Sequence, residues 1–141
     1  MKKFDESKSL EALENEVWPD PSFKSSLVEK VARIRKKPVK DLTVEELRLM
    51  LGQEFSLDYV IPSALTILEV NPLSEGDFYP GDLLVNLLSV KKEFWGLSIE
   101  LYDNINRIIK NAKKHLIEIE DEETRRRVEN AILNFEKIHI L

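Results

Sequence analysis

Apolar residues recur at spacings of three and four along most of this chain, and prolines or capping residues mark where each run starts and stops. Leu27, Val31 and Ile34 form such a run between Pro21 and Pro38. Thr43-Val44-Glu45-Glu46 reads as a capping box, in which the threonine hydroxyl takes the amide three residues on and Glu46 reaches back. Val44, Leu47 and Leu51 follow as one stripe that weakens at Gly52. Pro62 suits a first helical turn, where a missing N–H costs nothing, and opens a central, buried helix carrying Leu65, Ile67, Leu68 and Val70. Asn71-Pro72 ends that helix, and Pro80-Gly81-Asp82 starts the next, with a carboxylate in its first turn. Leu101, Ile105, Ile108, Ala112, Leu116 and Ile119 give the longest stripe, the acidic run Glu118 to Glu123 turns the chain, and Val128, Ile132, Phe135 and His139 make a last helix. No sustained alternation and no Asn-Gly or Asp-Gly hairpin signal points to strands. The expectation is an all-α fold, a compact single-domain bundle of six or seven helices over residues 1–141.

A chain of 141 residues can bury a core without metal or disulfide, and the absence of cysteine removes thiolate zinc sites and cysteine nucleophiles. Met1-Lys2-Lys3 is followed by Phe4-Asp5-Glu6-Ser7-Lys8 where a signal peptide would be apolar, and no window nears the ~20 apolar residues of a membrane span. A cytoplasmic protein is the expectation, with no membrane, nucleic-acid or small-molecule partner. The net charge of −5 hides an asymmetry. Residues 1–40 sum to +3, residues 41–82 hold nine acids against Arg48 alone, and residues 83–141 balance to zero. Such an acidic middle attracts basic partners and repels phosphates, unless its carboxylates are scattered caps and solvated faces.

Catalytic chemistry is thinly represented. His115 and His139 are the only histidines; the first fits an exposed helical position, and the second, two residues from the end, is incidental. No HExxH, glycine-rich phosphate loop or GxSxG motif occurs. The acid groups Glu75, Asp77 and Asp82, or Glu118, Glu120 and Glu122, could serve acid–base chemistry or a metal, yet acids at a helix start and a turn are structurally favoured anyway. Arg33, Arg35, Lys36 and Lys37 read as a helix C-terminus complementing the dipole, and Arg125, Arg126 and Arg127 as partners of the Asp121–Glu123 run. Trp18 and Trp95 sit near helix boundaries, where a core plug with its indole N–H on a free carbonyl competes with an interface anchor.

Phe55-Ser56-Leu57-Asp58-Tyr59-Val60-Ile61-Pro62-Ser63-Ala64-Leu65 and Asn71-Pro72-Leu73-Ser74-Glu75-Gly76-Asp77-Phe78-Tyr79-Pro80-Gly81-Asp82-Leu83-Leu84 carry a resemblance. With Arg35-Lys36-Lys37-Pro38, Leu42 to Arg48 and Phe94-Trp95, they resemble the immunity proteins of bacterial contact-dependent growth inhibition systems. The resemblance runs from about Leu10 to Trp95 and is most specific over Glu75–Leu84. It implies a small cytoplasmic antidote that binds the C-terminal toxin domain of a large secreted effector, covers its active site, and has no enzyme activity, cofactor or metal. Related toxins are often nucleases, RNases among them. An all-helical adaptor binding another basic protein is the competing reading. An acidic face suits a surface built for phosphate, which places toxin contact on Glu69, Glu75, Asp77 and Asp82, with Tyr79 as anchor. In the other reading of the motif, Phe78, Tyr79, Pro80 and Gly81 build a turn for the fold, and the tail with Arg125–Arg127 carries the contact.

Overall fold

Free amides at a helix start need acceptors, and the sequence supplies most of them locally. In the computed structural model, which describes residues 3–19 and 25–139, Ser9, Ser25, Thr43, Ser98 and Asp121 each accept a backbone N–H three residues on. They open α1 (Leu10–Glu14), α2 (Ser26–Lys36), α3 (Val44–Gly52), α7 (Ile99–His115) and α8 (Glu122–Ile138). The Thr43–Glu46 capping box forms with both of its bonds. Between these lie α4 (Leu57–Val70), α5 (Asp82–Leu88) and α6 (Lys92–Trp95), plus short 3-10 turns at Val39–Asp41 and Leu116–Glu118. The described residues are therefore all-α, with one isolated extended bridge between Ser9 and Pro38. Eight helices replace the six or seven expected because α1 and α6, of five and four residues, are too short to show a periodic stripe. Met1, Lys2 and Pro21, used in the sequence reading, lie outside the described residues.

Burial organises these helices around α4, which packs against α3, α5 and α7, while α5 also packs against α3 and α8. Val60, Ile61, Ala64, Leu65 and Leu68 of α4 meet Leu83, Leu84 and Leu87 of α5 in one continuous core. Along α7 and α8, Leu101, Ile105, Ile108, Ala112, Val128, Ile132 and Phe135 are buried as their spacing predicts.

Three local expectations are corrected. Pro62 does not open α4 but lies inside it, since the helix begins at Leu57. The proline removes a bond to the carbonyl of exposed Asp58, which water can satisfy, while Leu57, Val60 and Ile61 are buried ahead of it. Burying such side chains contributes about 1.5–3 kcal/mol each, enough to offset the ~3 kcal/mol of an interior proline. Leu27 and Val70, assigned to buried stripes, are exposed. In α2 the inward face holds Val31, Ile34 and Arg35 instead.

Arg35 is the largest departure, because a side chain read as a surface dipole partner is only 2% exposed. Its guanidinium pairs with Glu14, donates to Ser56 Oγ at 3.3 Å and to the Glu16 carbonyl at 2.8 Å, and lies 4.6 Å from the centre of the Trp18 ring. Ser56 Oγ in turn donates to Glu14 Oε1 at 2.9 Å, from a left-handed residue with φ of 56° that precedes α4. One cation thus joins the ends of α1 and α2 to the start of α4. Trp18 is half-buried and meets Phe55 edge-on at 5.6 Å. Trp95 is the core plug, packed edge-on to Phe94 and Phe135, yet its indole N–H finds no acceptor among the described residues. Aromatic packing rather than the anticipated carbonyl bond holds it.

Removing Glu14 strands a buried cation, whereas removing Arg35 leaves a carboxylate that water can reach. Glu14→Ala is therefore expected to cost about 3–5 kcal/mol, and Arg35→Met distinctly less. Urea unfolding of both variants checks the order, and a larger loss for Arg35→Met would contradict it.

Candidate functional site

The segment between α4 and α5 is the acidic, aromatic string of the sequence, and its conformation is set by backbone bonds to carboxylates. Asn71 Oδ1 accepts the Leu73 amide at 3.1 Å, and the Gly81 amide returns to the Leu73 carbonyl at 3.1 Å. Asp82, at the first position of α5, is 1% exposed. Its Oδ1 accepts the Gly76 amide at 2.7 Å, and its Oδ2 accepts those of Phe78 and Tyr79 at 3.1 and 3.4 Å. Gly81 stands at φ 89°, and a Cβ there would lie 2.8 Å from Val128 Cγ2 of α8. Glycine is required on both counts.

A second brace comes from α3. Glu45 Oε1 accepts the Asp77 amide at 2.9 Å, and Arg48 grips the same carboxylate through Nε at 2.7 Å and Nη2 at 2.6 Å. A Cβ on Gly76 would come within 2.6 Å of Glu45 Oε1, so the loop approaches α3 as closely as glycine permits. The hydrogen bonds from Arg48 hold the Glu45 carboxyl below its ordinary range, with the Asp77 amide assisting and partial burial opposing. Glu45 in turn raises Arg48. The Arg48 guanidinium also lies 4.4 Å from the centre of the Phe78 ring, and the Arg48 carbonyl accepts Asn86 Nδ2 of α5 at 2.9 Å.

The five predicted contact residues fall into distinct settings. Glu75 and Asp77 are exposed on the braced loop, and Tyr79 is half-buried beneath the Arg127 guanidinium at 5.0 Å. Asp82 lies behind them and accepts the amides of Gly76, Phe78 and Tyr79. Glu69 is exposed on α4, not on the loop, with Oε1 at 3.8 Å from Arg107 of α7. Phe78 is the aromatic side chain that the loop presents outward, 66% exposed. Its exposure was not apparent in the string, although Arg48, the one basic residue among the nine acids of residues 41–82, was a signal of an internal acid partner, which is Glu45. The arginine run of α8 divides three ways: Arg125 bonds the Ile119 carbonyl at 2.9 Å, Arg126 pairs with Glu122 at 2.7 Å, and Arg127 covers Tyr79. The loop and the arginine tail, read as rival surfaces, therefore adjoin each other. Among the described residues, no three His, Asp or Glu side chains are grouped to hold a metal ion.

Asp82→Asn keeps the shape but turns one acceptor toward the amides as a donor. It is expected to lower stability by about 1–3 kcal/mol in chemical denaturation, and a neutral effect would remove the brace. The depressed Glu45 carboxyl contributes stability that is present above its ordinary value of 4.5 and is lost as pH falls through its lower folded value. The stability gap between wild type and Glu45→Gln should therefore be full at neutral pH and narrow below pH 4.5. A gap that stays constant through the acid range would refute that assignment.

No helix among the described residues is long and apolar enough to cross a membrane. No curated protein and no solved structure matches the chain. The profile of one family, described as CDI immunity proteins, matches residues 12–105, which include α2 to α6, the braced loop and the first turns of α7. The match covers the larger part of the chain, and the protein belongs to the CDI immunity proteins, which neutralise the cognate toxins of contact-dependent growth inhibition.

Proposed function

We propose that this protein neutralises its toxin by covering the toxin's active site, and that the toxin is a nuclease, an RNase in the first instance. The observation that supports this most is a loop whose carboxylates face outward from a conformation held by buried bonds. Glu75 and Asp77 are exposed, while the amides of Gly76, Asp77, Phe78 and Tyr79 are all committed to Asp82 or Glu45. A surface that binds the phosphates of a nucleic acid is lined with cations, and fixed carboxylates are its complement. Because the loop is ordered before contact, association loses less conformational entropy than it would with a floppy acidic segment.

Within this reading the predicted residues take different parts. Glu75 and Asp77 steer the encounter and fix register, Tyr79 anchors the loop's edge beside Arg127, and Asp82 acts from behind by holding the amides. Glu69 extends the acidic surface from the end of α4. The motif serves fold and contact together, since the bonds that build the turn also aim its acids.

The test is the double charge reversal Glu75→Lys/Asp77→Lys, titrated calorimetrically against the C-terminal domain of the effector encoded beside this protein. Both side chains are exposed, so the melting temperature should be unchanged. Affinity should fall about 100-fold or more, with association losing most of its salt dependence. The wild-type chain should also stop the toxin degrading RNA. Unchanged affinity would take the loop out of the interface, and a toxin that leaves RNA and DNA intact would remove the nuclease assignment.

A further inference from the structure

Beside the loop, α2 and α3 enclose a groove of about 600 Å³ with cations on its α2 wall and carboxylates on the α3 and loop sides. Ile34 and Leu49 form its apolar lining, Lys30 and Arg33 stand on the α2 side, and Asp77 and Phe78 on the loop side. Lys30 and Arg33 are three residues apart on one helical face, both exposed, and neither makes a hydrogen bond or ion pair among the described residues.

The reason lies across the groove. Glu46 is occupied by Lys37 at 2.7 Å and by the Thr43 amide at 3.0 Å. Glu45 is occupied by Arg48 and the Asp77 amide, and Lys30 reaches it only as a weak, distant field. The acids of α3 that face the groove are spent on the fold, and Asp77, the remaining acid of the lining, pairs with neither cation, so Lys30 and Arg33 have no ion-pair partner among the described residues. Opposite them Phe78 is 66% exposed, an unusual position for an aromatic ring that a neighbouring arginine and a doubly braced backbone keep from folding inward.

Resting on the immunity reading above, we propose that this groove receives an acidic–apolar segment of the cognate toxin, with a toxin carboxylate on Lys30 and Arg33 and an apolar side chain against Phe78. The chemistry names the occupant. A second basic surface would be repelled by the two free cations, and a purely apolar segment would leave them desolvated and unpaired. The groove is too small to be a whole interface, since ten residues line it and a stable interface takes about 20–30 on each side. It is a subsite within a footprint that also takes in Glu75 and Asp77. The toxin surface is accordingly mixed, with cations over the loop and a carboxylate beside them, and this alternation fixes the register in which the two proteins dock.

The experiment compares wild type, Lys30→Glu/Arg33→Glu and Phe78→Ala for binding to the effector's C-terminal domain, with thermal melts confirming that each variant is folded. Carbodiimide coupling of the wild-type complex, read by mass spectrometry, reports whether Lys30 joins a toxin Asp or Glu. The expected result is an affinity loss of about ten-fold or more in each variant, together with a Lys30–carboxylate crosslink. Should Lys30→Glu/Arg33→Glu bind as tightly as wild type while Glu75→Lys/Asp77→Lys is weakened, the groove is overturned and the immunity reading stands. A wild-type chain that leaves the toxin unbound overturns both.

Discussion

Asp82 gives up water at the first turn of α5, and the surrounding structure is arranged to compensate for that loss. An uncompensated carboxylate in an apolar interior would be prohibitively costly. Here three loop amides point at it, the free amides of the α5 start add their partial positive charge, and the field of Arg48 reaches it from α3. The loop can close only if Gly81 takes a left-handed conformation against Val128, which brings α8 into the same arrangement. Release of this carboxylate would free the loop, uncover the end of α5 and loosen the contact of α8 in one event.

Arg35 and Arg48 illustrate how differently one residue type is used. Arg35 is enclosed by Glu14, Ser56 and Trp18 and acts as a rivet between helix ends, bonded through Nη1 and Nη2 while its buried Nε meets no acceptor among the described residues. Arg48 is held through Nε and Nη2 on one carboxylate, and its flat face carries Phe78 at the surface. Its planar fork matches a carboxylate with two bonds and still leaves a face for the ring, which a lysine ammonium could not do. The first arginine stabilises the fold, and the second transmits that rigidity to an exposed aromatic side chain.

Electrostatics at the loop and groove therefore follow from intramolecular pairing more than from the net charge. Acids that brace the backbone are consumed, and what is left over at the surface is a pair of carboxylates on the loop and a pair of cations on α2. A protein of net charge −5 presents both signs within one neighbourhood. That patterning favours a partner of specific, mixed charge over any generally basic surface.

Much of the architecture was legible from spacing alone. The Thr43 capping box, the Pro80-Gly81-Asp82 helix start and the stripes of α7 and α8 depend on residues three or four apart, and such contacts are present in the string itself. The sequence by itself therefore determined the identity of the longer helices, most of their ends and the acidic character of residues 41–82. Pairings at long separation were decided only by the tertiary structure. Arg35 meets Glu14 across 21 positions, the Asp77 amide meets Glu45 across 32, and Asn86 meets the Arg48 carbonyl across 38. The same holds for exposure: Tyr79 and Phe78 are neighbours of similar chemistry, yet one tucks under Arg127 while the other faces water. Helical periodicity records which face of a segment is apolar. Which charged groups end on that face, and which remain unpaired, depends on what the packed helices bring opposite them.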